Sequence, residues 1–386
     1  MRTAAIAGAG IAGLAAAVSL RKHGFDVTIY EASDDPREFG AGIYLKENSL
    51  RVLDKLGLTE DLVAKGVRTK AARVIDEYGQ IITSRTMDRE RLYVVLREDL
   101  HSALKNAALE SGVRLVTNAK VTGADPRGEL HLSDGTIIKA DVVIGADGLN
   151  SRVRDSLGLG RIKVGMGDGA TRLVVPRNGD APYSTEYWSG HLRVGVAPCS
   201  PDLTYMYIIG PEKDRQAARL PLNKEYWSAA FPHLEEHFNL IKDTDGVHHT
   251  HGFVHCDSWV KGRVAIIGDA AHAQPPNFGQ GAGLAIAAAW ELATALASGD
   301  DVRDALNDWH YASRPRIDAV QRLTTLYDFI AYKWPRPLAP LKSKLFTMLS
   351  NLPGTSRQWE YYWRGGISAP GQIDVVKENT DSLQKN

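Results

Sequence analysis

The 386-residue chain has little cysteine, no surplus of charge of either sign and no long apolar run. Its two cysteines, Cys199 and Cys256, are too few for a disulfide framework or a multi-cysteine zinc site. Because 46 basic residues balance 46 acidic ones, we expect no nucleic-acid partner, which would require a basic surface. A run of about 20 apolar residues is lacking, so we expect no membrane span or membrane partner. With no targeting segment before residue 4, we expect a cytoplasmic protein.

A glycine-rich turn stands between the first predicted strand, 4–7, and a helix-forming stretch, 14–23. It reads Gly8-Ala9-Gly10-Ile11-Ala12-Gly13. This spacing permits a tight turn, a close backbone approach to a pyrophosphate and close helix–strand packing. Glu31 ends the second strand, where a carboxylate binds ribose hydroxyls and repels a 2′-phosphate. The context predicts a dinucleotide site; the alternative is a packing turn.

Two further motifs follow predicted buried strands. Gly268-Asp269-Ala270-Ala271-His272 leads into Pro275-Pro276 and then Gly279-Gln280-Gly281-Ala282-Gly283 at the start of a long helix. An aspartate there can accept a hydrogen bond from a ribityl hydroxyl, and the helix N-terminus can face a flavin ring. Asp147-Gly148 ends the strand at 142–144. The second motif favours FAD over NAD as the bound dinucleotide.

Together the three motifs resemble the group A flavin-dependent aromatic monooxygenases, the para-hydroxybenzoate hydroxylase-like enzymes, over about residues 1–330. Arg37 and the loop 39–43 match the segment that lines the ribose and the flavin edge in that family. The resemblance implies that FAD is held by Gly8, Gly10, Ile11, Ala12, Gly13, Glu31, Ala32, Arg37, Gly42, Arg97, Val121, Asp147, Gly148, Asp269, Pro276, Gly279, Gly281, Ala282 and Gly283.

A narrower likeness is to the bacterial pyridine-ring oxygenases of vitamin B6 degradation, of the 2-methyl-3-hydroxypyridine-5-carboxylate oxygenase type. It rests on the segments 39–45, 50–53, 172–177 and 193–199. In those enzymes an arginine and a tyrosine on neighbouring strands bind the substrate. The matching residues are Arg193, as a carboxylate clamp, and Tyr205; from the residues alone, a solvent-facing arginine and a core tyrosine remain open.

The order of elements predicts an α/β protein whose Rossmann-like FAD-binding domain is split by a mostly antiparallel sheet. We assign residues 1–70, 97–165 and 256–325 to the FAD-binding domain and 71–96 and 166–255 to the substrate domain. Residues 326–386 form a helical C-terminal segment. We expect a monomer or a homodimer.

The resemblance implies an NAD(P)H- and O₂-dependent monooxygenase acting through a flavin C4a-hydroperoxide. Its substrate would be a hydroxylated aromatic or pyridine-type carboxylate, with hydroxylation and ring opening both open, and NADH or NADPH would be the co-substrate. No second glycine-turn unit for NAD(P)H is present, as is usual in this family. The alternatives are a non-catalytic flavin-binding or regulatory protein, or a halogenase or reductase of the same superfamily; the Trp-x-Trp-x-Ile motif of the halogenases is lacking.

Two other groupings have more than one interpretation. Four histidines at 248, 249, 251 and 255 could ligate a metal or serve an active site, but ordinary strand residues are the default and no metal is expected. The basic and aromatic tail from 333 to 364 could lie on an anionic membrane. A helical cap over the flavin domain, or a subunit interface, is the favoured interpretation.

Overall fold

The computed structural model describes residues 1–37, 41–243, 245–335, 338–351, 361 and 363–366. Its first sheet has six strands, and all neighbours are parallel except the antiparallel pair at one edge. In spatial order the strands are β18 (Val260–Lys261), β19 (Val264–Ile266), β12 (Val142–Gly145), β1 (Thr3–Ala7), β2 (Asp26–Tyr30) and β8 (Arg114–Val116).

Helices surround this sheet and carry the glycine loops. They are α1 (Ile11–Lys22), α2 (Glu47–Leu56), α3 (Thr59–Lys65), α4 (Arg97–Glu110), α5 (Arg152–Leu157), α8 (Asp269–His272), α9 (Gly281–Ser298) and α10 (Val302–Tyr332). Helix α11 (Ala339–Asn351) packs instead against an edge strand of the second large sheet. By length and composition the stretch Asn277–Ser298 could cross a membrane, which was not expected. More than half of it is buried, because α9 packs against α1, α2 and α10.

The second large sheet has seven strands, and only the β14–β5 pair is parallel. In spatial order the strands are β17 (Val247–Cys256), β13 (Gly160–Pro176), β16 (Leu203–Pro211), β15 (Leu192–Pro198), β14 (Tyr183–Ser189), β5 (Ala71–Ile75) and β6 (Ile81–Thr86). One face packs on Trp227, Phe231 and Phe238, which come from α6 (Lys224–Ala230), α7 (Glu235–Leu240) and the turn between them. The prediction of an α/β protein with a mostly antiparallel inserted sheet is confirmed.

Two three-stranded sheets complete the fold. They are β11 (Ile137–Lys139), β10 (Glu129–Leu132) and β9 (Val121–Asp125), and then β3 (Gly42–Leu45), β7 (Tyr93–Leu96) and β4 (Val67–Arg68). The domain boundaries stay a prediction. Three elements bear on them: β7 pairs with β3 and β4 from the predicted first segment, β13 runs across residue 165, and α10 runs across residue 325.

A proline interrupts the helical region that packs on the second large sheet. Residues 224–240 form two α-helices joined by a 3₁₀ turn at Pro232–Leu234. Pro232 lacks the backbone N–H that a continuous helix would require there.

Candidate active site

One cavity of about 900 Å³ lies between the glycine loops of the first sheet and the uncovered face of the seven-stranded sheet. This volume is at the upper end of the range for small-molecule and cofactor sites. Predicted residues that line it are Gly10, Ile11, Ala12, Gly42, Arg97, Gly148, Tyr205, Asp269, Pro276, Gly279, Gly281 and Ala282. Residues separated by more than 250 positions are therefore brought to one cavity.

The first wall begins with the turn between β1 and α1. A Cβ on Gly13 would lie 2.0 Å from the carbonyl oxygen of Gly8, so only glycine lets the helix approach the strand this closely. Gly8 itself has a φ of +99°, which other residues rarely adopt. A Cβ on Gly10 would meet nothing within 4 Å, so its bare backbone opens onto the cavity at the start of α1. This is the geometry that a pyrophosphate requires.

Acidic residues hold the loops around this turn. Glu31 accepts hydrogen bonds from the backbone N–H groups of Ala9 and Ser33 at 2.7 and 2.8 Å. Asp147 accepts from the backbone N–H of Arg152 at 2.7 Å through one oxygen, while its other oxygen is buried without a partner in the described part of the chain. Glu31 and Asp147 thus set the shape of the loops beside the cavity without lining it.

The other glycine loops present bare backbone in the same way. Cβ atoms on Gly148 and Gly281 would meet nothing within 4 Å. Gln274 lines the cavity, and neither polar atom of its side chain has a partner among the described residues. No acidic residue lies in the first turn of α1 or of α9. Open glycines, unopposed helix N-termini and an unsatisfied buried amide fit an elongated anionic cofactor such as FAD.

Strand alternation forms the opposite wall. In β16, Met206 and Ile208 pack toward the helical side, whereas Tyr205 and Tyr207 line the cavity. A Cβ on Gly42 would lie 2.5 Å from the Tyr205 ring, so this glycine lets β3 pack flat against that tyrosine. Burial raises the pKa of Tyr205, which therefore stays a neutral phenol. The structure thus brings Tyr205 to the cavity.

Arg193 is placed differently from the predicted clamp. It lies on the cavity side of β15 but is fully buried and does not line the cavity. Its guanidinium donates to Asn277 at 2.7 Å, and to Asp168 and Asp328 at 3.2 and 3.3 Å. Both terminal nitrogens of Arg193 bond internal acceptors, and its buried Nε does not open onto the cavity, so Arg193 does not reach a substrate carboxylate there and we correct that prediction. Arg172 is an arginine on the same sheet face that does line the cavity.

A buried carboxylate, Glu186, also lines the cavity. One of its oxygens accepts from the Trp188 indole at 2.6 Å and from the Tyr327 hydroxyl at 2.7 Å, and the other accepts from the Tyr207 hydroxyl at 3.0 Å. Burial, reinforced by the charge of Glu186, raises the pKa of Tyr207 well above its usual value. Nearby, the Tyr44 hydroxyl is 2.7 Å from that of Ser184.

The C-terminal segment covers one end of the cavity. Trp363 lines it, and the Lys46 ammonium lies 3.3 Å from the centre of the Trp363 ring. Arg364 forms an ion pair with Glu90 at 2.6 Å. These described parts of the basic aromatic tail pack as a cap over the FAD-binding loops. The basic and aromatic residues of the tail at positions 336, 357, 359 and 362 lie outside the described residues.

The histidine grouping does not form a metal site: among the described residues no group of three or more potential ligands is placed to hold an ion. His248 pairs with Glu212 at 2.9 Å, and His251 lies 3.1 Å from Asp168 beneath the cavity. Strand alternation separates His248 from His249, because adjacent residues on a strand point to opposite faces.

The remaining predicted cofactor residues lie around the cavity rather than on its wall. Arg37 forms an exposed ion pair with Asp35 at 2.6 Å, and Val121 begins β9. The others are Gly8, Gly13, Glu31, Ala32, Asp147 and Gly283. In the loop 39–43, residues 39 and 40 lie outside the described residues.

Cavity residues to which the sequence assigned no site role include Tyr44, Lys46, Arg172, Ser184, Glu186, Gln274, Asn277, Phe278, Tyr327, Phe346 and Trp363. Gln274 and Asn277 directly flank the Pro275-Pro276 pair of the predicted motif, so the residues on either side of that pair were the available signal for them. One signal for Glu186 was present in the sequence: it is the acidic residue in a strand otherwise made of tyrosine, serine, threonine and tryptophan. The others come from separate elements and carry no local signal.

Comparison with known proteins decides the family. The FAD binding domain family matches residues 1–324. The probable 2-heptyl-3-hydroxy-4(1H)-quinolone synthase AqdB2 of Rhodococcus erythropolis is 34% identical over 353 residues, covering 88% of this chain and 91% of that protein. The chain belongs to the FAD-dependent aromatic-ring monooxygenases.

Two further matches extend over nearly the whole of this chain. The 3-amino-4-hydroxybenzoate 2-monooxygenase PtnB3 of Streptomyces platensis is 30% identical over 403 residues, covering 95% of this chain and 96% of that protein. The structure of a tetrameric form of 2-methyl-3-hydroxypyridine-5-carboxylic acid oxygenase superposes with a TM-score of 0.84 at 32% identity, covering 96% and 100% of the two chains. The expected likeness to the pyridine-ring oxygenases is confirmed, and FAD is the cofactor.

Proposed function

We propose that this monooxygenase uses NAD(P)H and O₂ to hydroxylate a hydroxylated aromatic or N-heteroaromatic ring. One observation carries the proposal: a single cavity has the open glycine loops on one wall and a row of tyrosines on the other. Bound FAD would take electrons from NAD(P)H and supply activated oxygen. The opposite wall would orient the ring.

The polar residues of that wall suit a ring bearing acidic and hydroxyl groups. Tyr205 and Tyr207 present neutral phenols, which donate or accept hydrogen bonds. Arg172 supplies a guanidinium, which pairs with a carboxylate through two hydrogen bonds. We therefore retain a pyridine-type carboxylate as the first candidate substrate and assign its acid group to Arg172 in place of Arg193.

A second candidate, an alkylated 4-quinolone, is favoured by the apolar end of the cavity. Val74, Ile82, Phe278 and Phe346 line it between β5, β6 and α11. Burying an alkyl group there would contribute about 0.8 kcal/mol per CH₂. The relative AqdB2 is described as a probable alkylquinolone synthase, which points to the same ring class.

The test measures NADH and NADPH oxidation by the FAD-loaded enzyme against hydroxypyridine carboxylates, hydroxybenzoates and 2-alkyl-4-quinolones, with product masses. A compound that accelerates oxidation and gains one oxygen identifies the substrate class. A product that carries one more oxygen and two more hydrogens than the hydroxylated compound, with loss of ring absorbance, identifies ring opening. If no compound stimulates oxidation or gains oxygen, the proposed function is wrong.

A matched variant separates the two candidates. Arg172→Met removes the guanidinium but keeps a long apolar side chain. We expect it to raise KM for a carboxylate at least tenfold and to leave KM for a neutral quinolone within about twofold, because only the carboxylate loses a charge partner. Equal changes in KM for both compounds would show that Arg172 does not bind the carboxylate of the substrate.

A further inference from the structure

Two carboxylates line the cavity in the described part of the chain, Asp269 and Glu186. Asp269 begins α8 in the glycine loop that faces FAD. Glu186 comes from β14, on the wall proposed to hold the substrate. A carboxylate there has a desolvation cost, because its residue is only 9% exposed. Its position at the cavity wall indicates a role beyond filling the sheet.

The two oxygens of Glu186 have different surroundings. Oε1 accepts two short hydrogen bonds, from Trp188 at 2.6 Å and Tyr327 at 2.7 Å. Oε2 accepts one, from Tyr207 at 3.0 Å, among the described residues. A carboxylate oxygen has room for about two donors. Oε2 therefore has a remaining acceptor position, and its bonded partner Tyr207 also lines the cavity.

Glu186 interacts with the charge of Arg193, but two other acids lie closer to that guanidinium. Its carboxylate lies 4.0 Å from the Arg193 guanidinium, whereas Asp168 and Asp328 lie at 3.2 and 3.3 Å. Arg193 is thus paired by two closer, fully buried acids. The guanidinium approaches Oε1 of Glu186 and leaves Oε2 unblocked. Arg193 is a positioning residue in this arrangement.

We propose that Glu186, acting through Tyr207, is the base that takes the proton from a ring O–H or N–H of the bound substrate. The substrate donates to the Tyr207 oxygen as Tyr207 passes its own proton to Glu186 Oε2. The substrate O–H or N–H bond breaks, an O–H bond forms on Glu186, and one negative charge moves from the carboxylate to the ring. No redox partner is required, and the ring becomes more electron-rich for attack on oxygen.

The pH dependence of this step is set by the groups that face Glu186. They are Tyr207 from β16, Tyr327 from α10, Tyr44 from β3 and Arg193 from β15. Burial raises the pKa of all three tyrosines, so they remain neutral donors over the working range of pH. Glu186 is the carboxylate of this set, and Tyr207 is the tyrosine bonded to its Oε2.

The experiment compares wild type with Glu186→Gln, using the most active compound of the panel. The first measurement is the ultraviolet difference spectrum of the bound ring between pH 5 and 10. We expect wild type to bind the ionised ring at least one pH unit below its pKa in solution. In Glu186→Gln the ring should ionise only near its solution pKa. The hydroxylation rate should fall at least about 100-fold at pH 7 and recover as the pH exceeds that pKa.

Tyr207→Phe and Tyr327→Phe form a matched pair, because each removes one hydroxyl that donates to Glu186. The proposed transfer predicts that Tyr207→Phe shifts the ionisation of the bound ring as Glu186→Gln does, whereas Tyr327→Phe shifts it much less. A purely structural Glu186 predicts similar effects of the two. Glu212→Gln, at the surface ion pair with His248, should leave ionisation and rate unchanged.

This inference rests on the proposed function, and the outcomes separate the two. If wild type hydroxylates a panel compound and Glu186→Gln shows the same ring ionisation and pH profile, the base assignment is wrong and the proposed function stands. If wild type hydroxylates none of the compounds, both are wrong. Should Glu186→Gln fail to fold or bind FAD, the tyrosine pair decides the question.

Discussion

Replacing Arg193 by methionine tests whether this arginine belongs to the fold or to substrate binding. The substitution removes the cation from two carboxylates, Asp168 and Asp328, whose side chains are fully buried. Breaking a buried ion pair by removing one partner costs about 3–5 kcal/mol, because the remaining charges are left uncompensated. We expect a loss of that size in the free energy of unfolding, equivalent to about two to four decades in the unfolding equilibrium.

The stability lost in Arg193→Met should depend on pH. In wild type, burial opposes the ionisation of Asp168, but His251 and Arg193 outweigh it and lower its pKa. Its stabilisation is therefore present above the unfolded pKa of about 4 and is lost as the pH falls through the lower folded value. Without Arg193 the pKa of Asp168 in the folded protein rises. The difference in unfolding free energy between wild type and Arg193→Met should therefore be largest at pH 7 and smaller near pH 4.

Urea unfolding at pH 7 and at acidic pH, followed by tryptophan fluorescence at equal FAD saturation, measures both effects. Arg172→Met is the matched control: it removes an arginine from the same sheet face and should change unfolding by less than about 1 kcal/mol. If Arg193→Met unfolds within about 1 kcal/mol of wild type and instead raises KM only for carboxylate substrates, Arg193 is the clamp and our correction is refuted.

Three further predictions concern the loops and buried groups. Gly13→Ala should reduce folding stability, because its Cβ would lie 2.0 Å from a backbone oxygen, whereas Gly10→Ala should fold normally but bind FAD at least tenfold more weakly in a flavin titration. Burial lowers the pKa of His272 to about 4, so unfolding free energy should fall by about 2 kcal/mol from pH 7 to pH 5, and His272→Gln should remove that dependence in urea melts. Burial raises the thiol pKa of Cys199 and Cys256 to about 12, so a thiol reagent at pH 8 should modify them only after unfolding; fast native labelling would contradict this.

The FAD wall was largely predictable because its chemistry is local. Each glycine loop is read within a few residues of a strand and a helix, and Gly10, Gly148 and Gly281 all open onto the cavity as expected. Tyr205 was predicted from the family resemblance, and it lines the cavity. The predictions for the glycine loops depend on backbone conformation, which neighbouring residues largely determine.

The opposite wall was less predictable because its contacts join distant segments. The partners of Arg193 lie 25, 84 and 135 positions away, and none has a motif that indicates the pairing. Knowing which face of β15 carries Arg193 therefore did not decide whether its guanidinium binds a substrate or an internal acid. Packing of α10 against the loop at Asn277 decided it.

By itself, the sequence determined the dinucleotide cofactor and the inserted sheet, because these follow from glycine spacing, strand ends and local periodicity. The class of chemistry followed from the family resemblance that the same motifs carry. Only the tertiary structure decided which charged groups face the cavity. In a buried region each charge must find a partner, and the partner that comes close enough depends on how whole elements pack. The same packing that removes Arg193 from the cavity leaves Arg172 and Glu186 on its wall.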